Sequence, residues 1–139
     1  MSQSSILTLW GARLLVLLVL FSNLTAAVPF VLWPTRYSAA FELDGVTGEV
    51  LVRSIGMLFL MWVVPYIPVI LAPKRHRVCL SVIVTQQMIG LIGESWMLAK
   101  LPLGHAALRF TGTRFVIFDS LGLLFLLIAW KLVQQPPDA

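Results

Sequence analysis

Four ionisable side chains lie inside or at the ends of long apolar runs of this sequence: Arg53, Glu94, Arg114 and Asp119. A charged side chain at the centre of a bilayer costs roughly 2.5–3.5 kcal/mol on insertion scales, so such groups are rare and usually paired. A carboxyl group in apolar surroundings can also serve as a general acid or base. Glu94 and Asp119 are therefore the candidate catalytic residues, and all four are candidate ligand-binding residues.

Composition and the length of the apolar runs indicate which elements must position these groups. The 139-residue chain is 59% hydrophobic and 12% charged, whereas soluble domains have about 25% charged residues. About 20 apolar residues in a helix cross the hydrocarbon of a bilayer. The sequence therefore predicts an all-α, polytopic membrane protein, a single domain of residues 1–139 with four transmembrane helices in an up-down bundle. The predicted spans are about 14–33, 54–72, 78–99 and 115–133.

The first span also has the features of a secretory signal peptide. Arg13 precedes a run of Leu and Val, and the small pair Ala26 and Ala27 follows it. Because the apolar stretch continues to Trp33, we expect a retained first helix instead.

Basic residues in short loops indicate the orientation of the chain. The loop at residues 73–77 has three of them, whereas the loop after span one carries three acidic residues and Arg36. We therefore expect a multi-pass protein of the cell membrane with both termini in the cytoplasm. Basic residues between spans three and four, on the opposite face, weaken this orientation.

The direction of the spans places the four ionisable groups at one depth. Because successive spans alternate, the start of span two, the end of span three and the start of span four share one membrane face. Two positive and two negative groups at that depth can neutralise each other if they face inward. The alternatives are that Arg53 and Arg114 are interfacial anchors and that the carboxyl groups form a structural ion pair.

Helical spacing extends this polar layer towards the middle of the membrane. Gln87, Gly90 and Glu94 follow the i, i+3, i+7 pattern and share one face of the third helix. Gln87 lies about 10 Å deeper than Glu94 at 1.5 Å rise per residue. Gln87 is thus a further candidate ligand-binding residue, and the alternative is a hydrogen bond between helices. Gln86 points elsewhere, towards a second helix or a second subunit.

Other polar and aromatic residues are expected to have structural roles. Asn23 is expected to form a hydrogen bond between helices. Tyr66 is expected to lie in the interfacial aromatic belt, and Trp62, in mid-span, either in that belt or at a pocket. Pro65 and Pro68 are expected to kink the second helix.

The sequence predicts no metal, cofactor or nucleic acid. His76 and His105 fall on opposite membrane faces and cannot bind one haem or metal ion, and Cys79 is the only cysteine. The net charge of +4 comes with no basic stripe that would fit nucleic acid. His105, in the loop between spans three and four, could act as a general base only if that loop folds over the polar layer.

The opening of span two and the turns beside it carry a family resemblance. A loop with Pro34, the Arg53-Ser54-Ile55-Gly56 start of span two and the turn at Pro73 are similar to small four-helix membrane proteins of the DoxX-like families. The resemblance covers most of the chain and implies a four-helix membrane bundle, but no catalytic residue. Sterol-isomerase-like bundles are similar only in the placement of their acidic residues.

Three classes of function fit these features. We favour a non-enzymatic protein that binds a lipid-like or quinone-like molecule at the polar layer or serves as an accessory subunit. The alternatives are a membrane enzyme with Glu94 or Asp119 as acid–base group and a small dimeric transporter, which should have discontinuous helices or an internal repeat. The expected partners are membrane lipids, a lipophilic small molecule, and a second copy or a larger membrane complex.

Overall fold

The structure, a computed structural model, describes residues 3–134, with side chains from residue 6 onward. Its helices are α1 (Gln3–Leu32), α2 (Thr35–Ser38), a 3₁₀ turn (Ala39–Phe41), α3 (Gly45–Trp62), α4 (Tyr66–Leu71), α5 (Arg77–Lys100) and α6 (Ala106–Gln134). The described residues contain no strand. The predicted all-α fold class is therefore confirmed.

Within residues 3–134, four helical segments are long and apolar enough to cross a membrane: Ile6–Leu32, Gly45–Leu71, Arg77–Lys100 and Ala106–Gln134. The prediction of four spans is thus confirmed, although three of the segments begin well before the predicted spans. The predicted spans left out the first helical turns of these segments, which contain polar or charged residues. A helix satisfies its own backbone hydrogen bonds, so it can continue beyond the apolar core of the bilayer.

The second span is broken and not only kinked. Pro65 has no N–H group with which to continue the helix, and residues 63–65 form a turn between α3 and α4. The backbone N–H of Tyr66 accordingly donates to the carbonyl oxygen of Val63, three residues back, at 3.0 Å. The two halves of this span can therefore pack against different neighbours.

Those neighbours differ at the two ends of the bundle. The first half of the span, α3, packs against α1, whereas the second half, α4, packs against both α1 and α5. The main buried cluster lies with α4 and includes Val69 from α4, Leu80 and Ile83 from α5, and Leu126 from α6. The close-packed core is thus at the end of the bundle near the loop at residues 73–77, and α3 diverges from α5 at the other end.

Gly56 sets the distance between α1 and α3. A Cβ atom at this position would lie 2.8 Å from Cγ2 of Val31 and 2.9 Å from the Val31 backbone nitrogen. Real Cβ atoms do not approach other atoms this closely, so a larger residue would push the helices apart.

The segment between α1 and α3, residues 33–44, which we call loop one, folds over the start of α6. The hydroxyl of Thr111 donates to the carbonyl oxygen of Ala40 at 2.8 Å, and the rings of Phe41 and Phe115 have centroids 6.4 Å apart. The Glu42 carboxylate bonds to His105 Nδ1 at 2.5 Å and accepts the backbone N–H of Leu108 in the first turn of α6 at 3.4 Å. A carboxylate at this helix end is also favoured by the helix dipole.

The Gly56→Ala substitution should reduce the free energy of unfolding by about 1–2 kcal/mol, since the added methyl group cannot be accommodated between α1 and α3. Unfolding in mixed micelles with increasing SDS measures this loss. Gly93→Ala is the matched control, because a Cβ there has no neighbour within 4 Å, and it should be neutral or stabilising. Equal stability of the two variants would contradict the close approach at Gly56.

The contact of loop one with α6 should weaken in acid. The hydrogen bond with His105 holds the pKa of the Glu42 carboxyl below its ordinary value of 4.5. A lowered folded-state pKa stabilises the fold above about pH 4.5, and this contribution is lost as the pH falls through the folded-state value. Glu42→Gln should therefore lower the midpoint of thermal unfolding near neutral pH and have no such effect in acid. Asp44→Asn, at an exposed neighbour whose side chain forms no cap, should change little at any pH.

Candidate functional site

A hydrogen-bonded group of polar side chains connects α4, α5 and α6. Gln87, on α5, is only 2% exposed. Its Nε2 donates to Oδ1 of Asp119 on α6 at 2.8 Å, and its Oε1 accepts the hydroxyl of Tyr66 on α4 at 3.5 Å. The Asn23 amide of α1 also lies against that hydroxyl. This polar network therefore brings together two of the residues singled out by their spacing, Gln87 and Asp119.

Two glycines provide the space for this network. A Cβ at Gly122 would lie 2.8 Å from Nε2 of Gln87, and a Cβ at Gly90 would lie 2.8 Å from Oδ2 of Asp119. Both positions are in helices, so the requirement is for space and not for an unusual backbone conformation. The neighbour that Gly90 admits is the Asp119 carboxyl group.

A cavity of about 150 Å³ lies beside the network, and we call it the deep cavity. All four spans contribute to its wall, which consists of Asn23, Ala26, Phe59, Trp62, Gly90, Glu94, Phe115, Phe118 and Asp119. Glu94 is partly buried in this wall. Among residues 6–134, no hydrogen bond or ion pair engages its carboxyl group. Glu94 and Asp119 are close enough for their charges to interact.

A second cavity of about 220 Å³, the outer cavity, lies nearer to loop one. Tyr37, Ala40 and Phe41 of loop one line it, together with Phe30 of α1 and Arg114 of α6. The outer and deep cavities have three wall residues in common: Ala26, Phe115 and Phe118. The two cavities are therefore neighbours, with aromatic side chains between them.

The two arginines do not pair with the carboxyl groups. Nε of Arg53 donates to the carbonyl oxygen of Val31 at 3.3 Å, one of the last carbonyls of α1, which have no partner within the helix. Arg114 is exposed, and its guanidinium carbon lies 5.8 Å from the Phe110 ring centroid. The only ion pair among the described residues is that of Glu42 with His105. Mutual neutralisation of the four charges is thus not observed, and both arginines have other contacts.

Three other residues bear on the expected places of side chains around the site. The expectation that Tyr66 lies in the interfacial belt is wrong, because its side chain is fully buried in the core. Trp62 lines the deep cavity, which is the second of the two places expected for it. His105 lines neither cavity and is engaged by Glu42. The sequence signal beside Tyr66 is Pro65, which interrupts the helix directly before it.

The chemistry available in the deep cavity is that of two carboxyl groups and aromatic rings. Carboxyl oxygens accept hydrogen bonds, bind cations and exchange protons. Within the described residues, no group of three His, Cys, Asp or Glu side chains could hold a metal ion. The chain matches no family model, no curated protein and no solved structure.

Replacing Gln87 should be costly, whereas replacing its neighbour Gln86 should not. Gln87→Leu leaves the Asp119 carboxyl without its donor, and an unsatisfied buried group costs about 1–3 kcal/mol. Gln86→Leu is the matched control, because Oε1 of Gln86 is buried and has no partner in residues 6–134. Its replacement should be neutral or stabilising. The free energy of unfolding in SDS mixed micelles measures both, and equal losses would contradict the role of the network.

Proposed function

We propose that this membrane protein binds a small lipophilic ligand whose polar end contacts Glu94 and Asp119 in the deep cavity. One observation carries the proposal: a cavity formed by all four spans contains a carboxyl group, that of Glu94, with no partner among the described residues. Ionisable groups inside membrane bundles are usually paired, and unpaired ones mark sites of function. A ligand would supply the missing partner.

The volumes support a ligand that extends through both cavities. Sites for small molecules typically measure about 300–1,000 Å³. The deep cavity, at about 150 Å³, and the outer cavity, at about 220 Å³, each fall below this range. A ligand that occupies both requires the Phe115 and Phe118 side chains between them to move aside. The ligand would lie along the shared side chains of Phe115 and Phe118, with its apolar part beneath loop one.

The roles of the predicted site residues follow from these cavities. Glu94 and Asp119 contact the ligand, and Gln87 orients Asp119 through the 2.8 Å hydrogen bond. Arg114 lines the outer cavity and contacts the ligand there. Arg53 lines neither cavity, so we leave it out of the proposed site. The DoxX-like resemblance, the cytoplasmic termini and the location in the cell membrane stay predictions.

A transporter is the second candidate, and one observation favours it. The break of the second span at residues 63–65 separates Trp62, which lines the deep cavity, from Tyr66, which belongs to the polar network. Broken helices beside a mid-membrane site are typical of transporters. Flux of the identified ligand across liposome membranes would separate transport from binding.

A large side chain at the wall that the deep and outer cavities share should abolish ligand binding. Ala26 lines both cavities, so Ala26→Phe places a ring where the proposed ligand lies. Native mass spectrometry of the protein, released gently from its membrane, should detect a bound small molecule in the wild type and lose it in this variant.

The matched control is Ala99→Phe, at an exposed position of α5 outside both cavities, which should keep the ligand. Unfolding midpoints of both variants report whether each is folded. Loss of the ligand from both variants, or a ligand-free wild type that also fails to retain added lipids or quinones, would contradict the proposal.

A further inference from the structure

The deep cavity contains acidic groups and no basic ones. Its wall has the carboxyl groups of Glu94 and Asp119, whereas no Lys, Arg or His side chain lines it. The two arginines at a similar depth are engaged elsewhere, Arg53 at the Val31 carbonyl and Arg114 at the Phe110 ring. The described part of the protein therefore supplies no counter-ion to these carboxyl groups.

The aromatic wall is a second and independent feature of the same cavity. Four aromatic side chains line it: Phe59, Trp62, Phe115 and Phe118. Aromatic rings attract cations through their negative faces, and cages of such rings recognise quaternary ammonium groups. In a region without bulk water, this attraction adds to that of a carboxylate.

A neutral or anionic polar end fits this cavity less well. The carbonyl oxygen of a quinone or the carboxylate of a fatty acid is an acceptor, which the carboxylate oxygens of Glu94 and Asp119 would repel. The main amide donor nearby, Nε2 of Gln87, is already used by Asp119. The other amide donor of the wall, Nδ2 of Asn23, lies against the Tyr66 hydroxyl.

We infer that the polar end of the ligand is a cation, an amine or quaternary ammonium group attached to an apolar tail. This inference rests on the proposed function and specifies the ligand class. The cationic group occupies the deep cavity between Glu94 and the aromatic wall. The tail extends into the outer cavity, where Phe30 and Phe41 offer apolar contacts and Arg114 disfavours a second positive charge. The direction of binding is thus fixed by charge.

Three probes of equal chain length test the inference: decyltrimethylammonium, decanol and decanoate. The protein is kept in neutral maltoside micelles, and binding is measured by native mass spectrometry and by the shift of the unfolding midpoint. We expect decyltrimethylammonium to bind about tenfold more tightly than either of the other two probes. Tighter binding of decanoate, or equal binding of decanol, would overturn the inference.

Variants test whether the preference for decyltrimethylammonium over decanol arises in the deep cavity. Glu94→Gln should weaken the binding of decyltrimethylammonium about tenfold and leave that of decanol unchanged. The matched control, Glu49→Gln, makes the same change of charge in α3 outside both cavities and should keep the preference. Trp62→Leu retains both carboxyl groups and should reduce the preference for the ammonium probe over decanol. A preference that survives Glu94→Gln would overturn the assignment of the cation to this cavity.

These outcomes distinguish a failure of the charge inference from a failure of the proposed function. If decanol and decyltrimethylammonium bind equally and Ala26→Phe abolishes both, the cavity binds lipophilic ligands but the charge inference is wrong. If none of the probes binds and native mass spectrometry detects no natural ligand, the proposed function itself is wrong.

Discussion

The missing N–H group of Pro65 is the constraint on which the arrangement of this bundle depends. It ends α3 at Trp62, and the chain resumes as α4 only at Tyr66. Because the halves are separate, α4 closes the core against α5 while α3 stays with α1. The space left between α3 and α5 contains the deep cavity, with Trp62 on one side and Gly90 and Glu94 on the other.

The polar network turns that space into a chemically defined site. Gln87 bonds to Asp119 across the contact of α5 with α6, and the glycines at 90 and 122 let the side chains approach. Asp119 is thereby held in one orientation, whereas the Glu94 carboxyl group on the same wall has no described partner. One carboxyl is therefore part of the fold, and the other is available to something outside it. Loop one, fastened to α6 through Glu42 and Thr111, covers the outer cavity beside them.

The sequence predicted those features that depend on local composition and on helix geometry. Four apolar runs of sufficient length predict four spans, and the alternating direction of spans places Glu94 and Asp119 at one end of the bundle. The 3.6-residue repeat also placed Gln87 on the face of Glu94. The ends of the helices were less predictable, because a helix does not stop where its apolar residues stop.

The remaining features depend on packing, which spacing along one chain does not determine. Arg53 could have reached inward, but it bonds to the carbonyl oxygen of Val31 at the end of α1. Tyr66 has the amphipathic side chain of an interfacial residue, but its ring is buried in the core and its hydroxyl donates to Gln87. The deep cavity lies where α3 diverges from α5, and the outer cavity lies between α1, loop one and α6, so no motif indicates either of them.

The position of a bound cationic ligand tests the central claim most directly. An alkylammonium probe with a nitroxide at its head would broaden the NMR signals of nearby nuclei in isotope-labelled protein in bicelles. The account predicts the strongest broadening at the Gly90 and Glu94 amides and the Trp62 indole. Broadening confined to the exposed residues Ile89 and Ile92, with the cavity residues unaffected, would contradict it.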